Sequence, residues 1–140
     1  MKRAAAVLAV LIAAGAAAAA EPNPGADGYT VDTAGSARVL HKGQKGKLVL
    51  AIRPRAPWHL DPRAPLSIKL ELPAGLTAEK ATVGRKDAVD PRAEIPRFEL
   101  PVTAVAAGAQ EAKAHLKFFL CRDTICAQQT ATVAFRVAVK

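Results

Sequence analysis

The chain has 140 residues, with 20 lysines and arginines against 12 aspartates and glutamates, and only 4% of it is aromatic. Its first 20 residues stand apart: Lys2-Arg3, an apolar run from Ala4 and the small residues Ala18-Ala19-Ala20 before Glu21-Pro22 have the layout of a secretory leader. Without them 120 residues remain, carrying 18 basic against 12 acidic side chains, which excludes a two-domain or disordered chain, and no later segment approaches the ~20 apolar residues of a membrane span.

Cleavage is expected after Ala20, which makes the mature protein periplasmic or secreted, with no membrane insertion once the leader is gone. The remaining net charge of +6 is scattered singly and lacks aromatic stacking platforms. That pattern describes a solvated basic surface and not a nucleic-acid interface.

Residues 21–35 read as a flexible N-terminal arm, because Glu21 to Gly28 is rich in turn formers. From Ser36 to the end, residues 36–140 read as one β domain. Lys47 to Arg53 is a predicted strand with Leu48, Leu50 and Ile52 on one face, stopped by Pro54 and Pro57. Leu66 to Leu72 alternates without a flaw, with Leu66, Ile68, Leu70 and Leu72 facing in and Ser67, Lys69 and Glu71 facing out. A short strand is expected near Ala81 to Val83. Phe98, Leu100, Val102 and Ala104 alternate next, with Pro101 on the outward parity, as suits an edge strand. Ala112 to Cys121 and Thr130 to Val139 are the last two strands. Seven or so short strands between turn signals predict an all-β fold, an immunoglobulin-like antiparallel β-sandwich.

The chemistry concentrates in Cys121-Arg122-Asp123-Thr124-Ile125-Cys126. An even pair of cysteines in an exported chain should be oxidised to a disulfide. Pairing the last two strands with Cys121 opposite Cys126 sets Lys117 against Thr130 and His115 against Thr132 on the polar face. The same register sets Leu116 against Ala131 on the buried one. The bond then lies on the outer face near the hairpin tip, beside Phe119, with Arg122 close enough to favour a thiolate. A ring of six residues stabilises a fold by only roughly 2 kcal/mol, against nearly 5 for a hundred-residue loop. Spacing and parity leave a structural staple and an exchange-active bond equally open.

At these residues the chain resembles the N-terminal periplasmic domain of the thiol:disulfide interchange protein DsbD. Pro57-Trp58-His59-Leu60-Asp61-Pro62, with the strand Leu66 to Leu72 and Pro73-Ala74-Gly75-Leu76, looks like that family's aromatic-His segment and following strand. Phe98 to Thr103 is similar to its Leu-Pro-Val strand, and Phe118 to Cys126 to its Cys-x-Asp-x-x-Cys signature. The resemblance covers most of residues 36–139. It implies an immunoglobulin-like sandwich with a redox-active pair in the final hairpin, Cys126 as the attacking thiol and Cys121 as its resolving mate. It further implies partners: a thioredoxin-like or membrane electron-donor protein on one side and oxidised envelope proteins on the other. The chain departs from the family at Gln128-Gln129, where a Pro-Pro pair is usual. It departs again at Val83 to Asp87, which lacks the aromatic residue that caps the family's disulfide.

The second functional reading is a non-catalytic β-sandwich adaptor whose disulfide pins the hairpin. Trp58 reads as core packing. His115 shares a face with Cys121 but lies about 20 Å down the strand, too far to act on the sulfur. Asp123 reads as a turn residue that could also tune a thiolate. Three histidines and two oxidisable cysteines without ligand spacing exclude zinc, and no cofactor is expected. A copper-thiolate site stays open only for a reduced pair.

Overall fold

The computed structural model describes residues 23–140, so the leader expected over residues 1–20 lies outside the described residues. Nine strands follow in chain order: β1 (Tyr29–Asp32), β2 (Val39–Leu40), β3 (Lys45–Pro54), β4 (Ser67–Glu71), β5 (Leu76–Thr77), β6 (Thr82–Gly84), β7 (Arg97–Ala104), β8 (Gly108–Arg122) and β9 (Ile125–Val139). One sheet has the order β1-β3-β7-β5 and the other β2-β9-β8-β4-β6. The β1-β3-β7-β5 sheet and the β9-β8-β4 triplet reproduce the two layers of the immunoglobulin sandwich, in the same chain order. The strands β2 and β6 are short additions at the two edges of the second sheet. All pairings are antiparallel except that of β2 with β9, which is parallel over two residue pairs.

Period-two alternation builds the core, because successive side chains of a strand leave on opposite faces. From β8 the residues Ala112, Ala114, Leu116, Phe118 and Leu120 are sealed between the sheets. They meet Leu48, Leu50 and Ile52 of β3, Phe98, Leu100 and Val102 of β7, and Ile68 and Leu70 of β4 in one cluster. The alternation expected over residues 66–72 and 98–104 is therefore the alternation observed.

Three expectations need correction. Strand structure begins at Tyr29, upstream of Ser36, because Tyr29 packs edge-to-face on Phe118 at 4.9 Å and Val31 against the core. Residues 23–28 are turns, as read, but they are tied to the domain by long-range hydrogen bonds described below. Strand β7 lies inside its sheet by order, yet β5 pairs only with its last two residues, Thr103 and Ala104. Ala104 exchanges hydrogen bonds with Gly43 and Gln44 next to β3, so the even-numbered residues of β7 point their backbone groups that way. Pro101, of opposite parity, therefore has its missing N–H on the side that no strand pairs between Arg97 and Val102.

Candidate functional site

The last hairpin pairs without interruption from Gly108↔Val139 to Arg122↔Ile125, with Cys121 directly opposite Cys126. His115↔Thr132, Leu116↔Ala131 and Lys117↔Thr130 stand in the register that parity predicts. Asp123 and Thr124 alone make the turn. Asp123 adopts φ 49°, a left-handed conformation that aspartate tolerates better than most residues, and its side chain is 79% exposed. It is a turn residue.

The sulfurs are joined, with the two Cα atoms 4.1 Å apart. Their surroundings are unequal: Cys121 is only 4% exposed, whereas Cys126 is open to solvent. An outward position on a two-layer sandwich should be open, so the burial of Cys121 needs a cause. The pairing of β4 with β8 ends at Ser67↔Lys117, short of the hairpin tip. Beyond that point the segment Trp58–Leu60 takes the vacant place. The His59 N–H donates to the Cys121 carbonyl and the Cys121 N–H donates to the His59 carbonyl, both at 2.9 Å. Cys121 is thus flanked on both sides by backbone, while Cys126 is not.

Phe119, half-buried, stands on the same face as Cys121 and opposite Gln128. Arg122 is placed differently from expectation. It leaves the strand on the face opposite Cys121, as strand parity requires. Its guanidinium lies 5.5 Å from the centre of the Trp58 ring, a cation–π arrangement, and 3.6 Å from Asp123. Arg122 therefore stands between Trp58 and Asp123.

Trp58 packs at the core margin, as the sequence suggests, and it also carries the N-terminal turn. A Cβ added at Gly28 would come within 2.6 Å of the indole, so only glycine permits this approach. Gln129, marked in the sequence only as half of the departure from a Pro-Pro pair, is 1% exposed on the inward parity of β9. Its Nε2 donates to the Pro24 carbonyl at 2.7 Å, and its Oε1 accepts from Asn23 Nδ2 at 3.2 Å. The departure from a Pro-Pro pair thus has a structural use: a buried amide that closes the hairpin end of the sandwich with residues 23 and 24.

The loop Val83 to Asp87 runs from β6 into a 3-10 turn at Arg85–Asp87. Asp87 fixes it, accepting from Lys80 Nζ at 2.7 Å and from the Gly84 N–H at 2.9 Å. The lysine first and the amide second hold the Asp87 carboxyl below its ordinary range. Burial pushes the Arg85 guanidinium down, against the pull of Asp61, and its Nε and Nη1 have no hydrogen-bond partner among the described residues.

His115 bridges Glu71 at 2.8 Å and Thr132 at 3.2 Å across three strands. The imidazole holds the Glu71 carboxyl below its usual value. The trio ties β4, β8 and β9 together as a cross-strand bridge.

No family model matches this chain, and no curated protein matches it.

Proposed function

We propose that this domain is a thiol–disulfide carrier of an exported compartment, passing reducing equivalents from a membrane electron transporter to oxidised envelope proteins. The observation that carries the reading is the unequal exposure of the two joined cysteines, Cys126 exposed and Cys121 enclosed. Exchange proceeds by attack of a thiolate on one sulfur with departure of the other. An exposed Cys126 is the sulfur a partner can reach, and Cys121 is the built-in leaving group and resolving thiol. The resemblance of the hairpin to that of the DsbD N-terminal domain supports the same division of roles.

In the reduced domain the Cys126 thiolate, its proton lost to water, attacks one sulfur of a partner disulfide. A bond forms between Cys126 and the partner as the partner's own S–S bond breaks and its second sulfur leaves as thiolate. The Cys121 thiolate then attacks the Cys126 sulfur, closing the ring and releasing the partner's first sulfur. The partner gains two electrons and the domain loses two. A dithiol donor reloads it by the reverse sequence, attacking at Cys126.

The test is capture. Cys121→Ser should leave Cys126 able to hold partners as mixed disulfides in envelope extracts run without reductant, and Cys126→Ser should capture far fewer. A measured reduction potential above about −300 mV agrees with exchange. A lower potential together with no captured partner from either variant would establish the bond as a staple and the domain as an adaptor.

A further inference from the structure

The outward face of the five-stranded sheet holds the second feature. The register aligns Ser67, Lys117 and Thr130 in one rank and Lys69, His115 and Thr132 in the next. These six side chains line an open depression of about 370 Å³. On the other sheet, Lys47 and Arg97 share Glu99, and Arg53 pairs with Asp32. Lys69 and Lys117 have no ion-pair partner among the described residues, and Glu71, a carboxylate on the same face, is engaged by His115. Two ammonium groups, three hydroxyls and an imidazole surround one hollow.

We propose that this depression binds a carboxylate-rich segment of a partner polypeptide and so delivers the partner's cysteine to Cys126. The inference deepens the exchange reading and rests on it for its purpose. The charges fit carboxylates, and the hydroxyls of Ser67 and Thr130 supply donors for their remaining lone pairs. Thr130, Gln128 and Cys126 follow one another on the same face of β9. An extended chain on this face covers the ~13 Å from Thr130 to Cys126 in four residues. Acidic residues are therefore expected about four positions from the partner's reactive cysteine. The exposed large apolar residues, Val39, Val89, Ile95, Val105 and Ile125, all lie off the outward positions of β4, β8 and β9, where half-buried Phe119 is the one large apolar side chain, too little for a lipid surface to engage.

A fluorescein-labelled deca-glutamate peptide without cysteine, titrated into the disulfide-bonded mature protein, tests the site by fluorescence anisotropy. Saturable binding that weakens with salt is expected. Lys69→Glu with Lys117→Glu should weaken it about tenfold or more, whereas Lys45→Glu with Lys47→Glu, an equal change of net charge on the opposite sheet, should leave it nearly unchanged. Circular dichroism checks that both doubles are folded. No binding, or equal loss in both doubles, overturns the proposal, as does stronger capture by phosphatidylglycerol vesicles than by the peptide. The probe has no sulfur, so its binding stands or falls apart from exchange. If Cys121→Ser captures partners equally well with and without the Lys69 and Lys117 changes, the docking site is refuted while the exchange reading survives.

Discussion

His59 and Cys121 exchange a complete pair of backbone hydrogen bonds, although they are 62 positions apart and His59 belongs to no regular strand. The effect is to give the tip of β8 a neighbour where β4 has already ended. One cysteine of the disulfide is thereby held in a three-stranded setting while the other remains at the surface. These contacts are made by main chain and not by the sulfurs, so they are expected to persist when the disulfide is reduced.

That persistence makes reduction a mild event for the fold. Reducing the disulfide should cost about 2 kcal/mol or less, since the ring is short and fifteen cross-strand pairs hold the hairpin. Urea unfolding with and without dithiothreitol measures it. A loss several times larger would mean that the bond is a staple.

The inward and outward positions of β4 should respond in opposite ways. Leu70 is 6% exposed within the core, so Leu70→Asp buries an unpaired charge and should unfold the domain. Lys69→Asp, one residue away on the outer face, should leave the melting temperature within a few degrees of the parent. Comparable losses in both would contradict the observed parity.

Gln129→Ala should cost about 1–3 kcal/mol, because the Pro24 carbonyl loses its donor and the amide leaves a void. Asn23→Ala should cost less, since its amide makes the longer, partly exposed contacts. Chemical denaturation of the two variants ranks them directly.

Acid should weaken the fold through four carboxylates. Asp32, Asp61, Glu71 and Asp87 are each held below their ordinary values, by the Ala34 N–H, Arg63, His115 and Lys80 respectively. Below about pH 4 the unfolded chain takes up these protons first, so stability complete above that pH declines as the pH falls through the folded values. Asp87→Asn should flatten part of this decline, measured as the urea midpoint against pH.

The register of the final hairpin was legible, since two strands of period two with Cys121 opposite Cys126 keep Leu116 and Phe118 inside, but the strands run beyond the expected Ala112 to Cys121 and Thr130 to Val139, to Gly108–Arg122 and Ile125–Val139. The core faces of β3, β4 and β7 were legible for the same reason. What escaped was set by partners distant in sequence. Tyr29 to Asp32 is too short to show a period, and its place depends on Phe118. Gln129 looks like an ordinary polar residue until Asn23, 106 positions away, supplies its hydrogen bonds. Parity put Cys121 on the outer face correctly, but it says nothing of what lies beyond the end of a neighbouring strand. The short extended stretch Trp58–Leu60, bracketed by Pro57 and Pro62, was the available signal.

Pro101 has a consequence for the company this domain keeps. A β edge with a full row of donors and acceptors is a template on which another chain can grow, and crowding favours that growth. Along β7 the donor at Pro101 is missing on the very side that lacks a strand neighbour, so an added strand would find its ladder broken midway. Copies of the domain can therefore accumulate without zipping together along this edge.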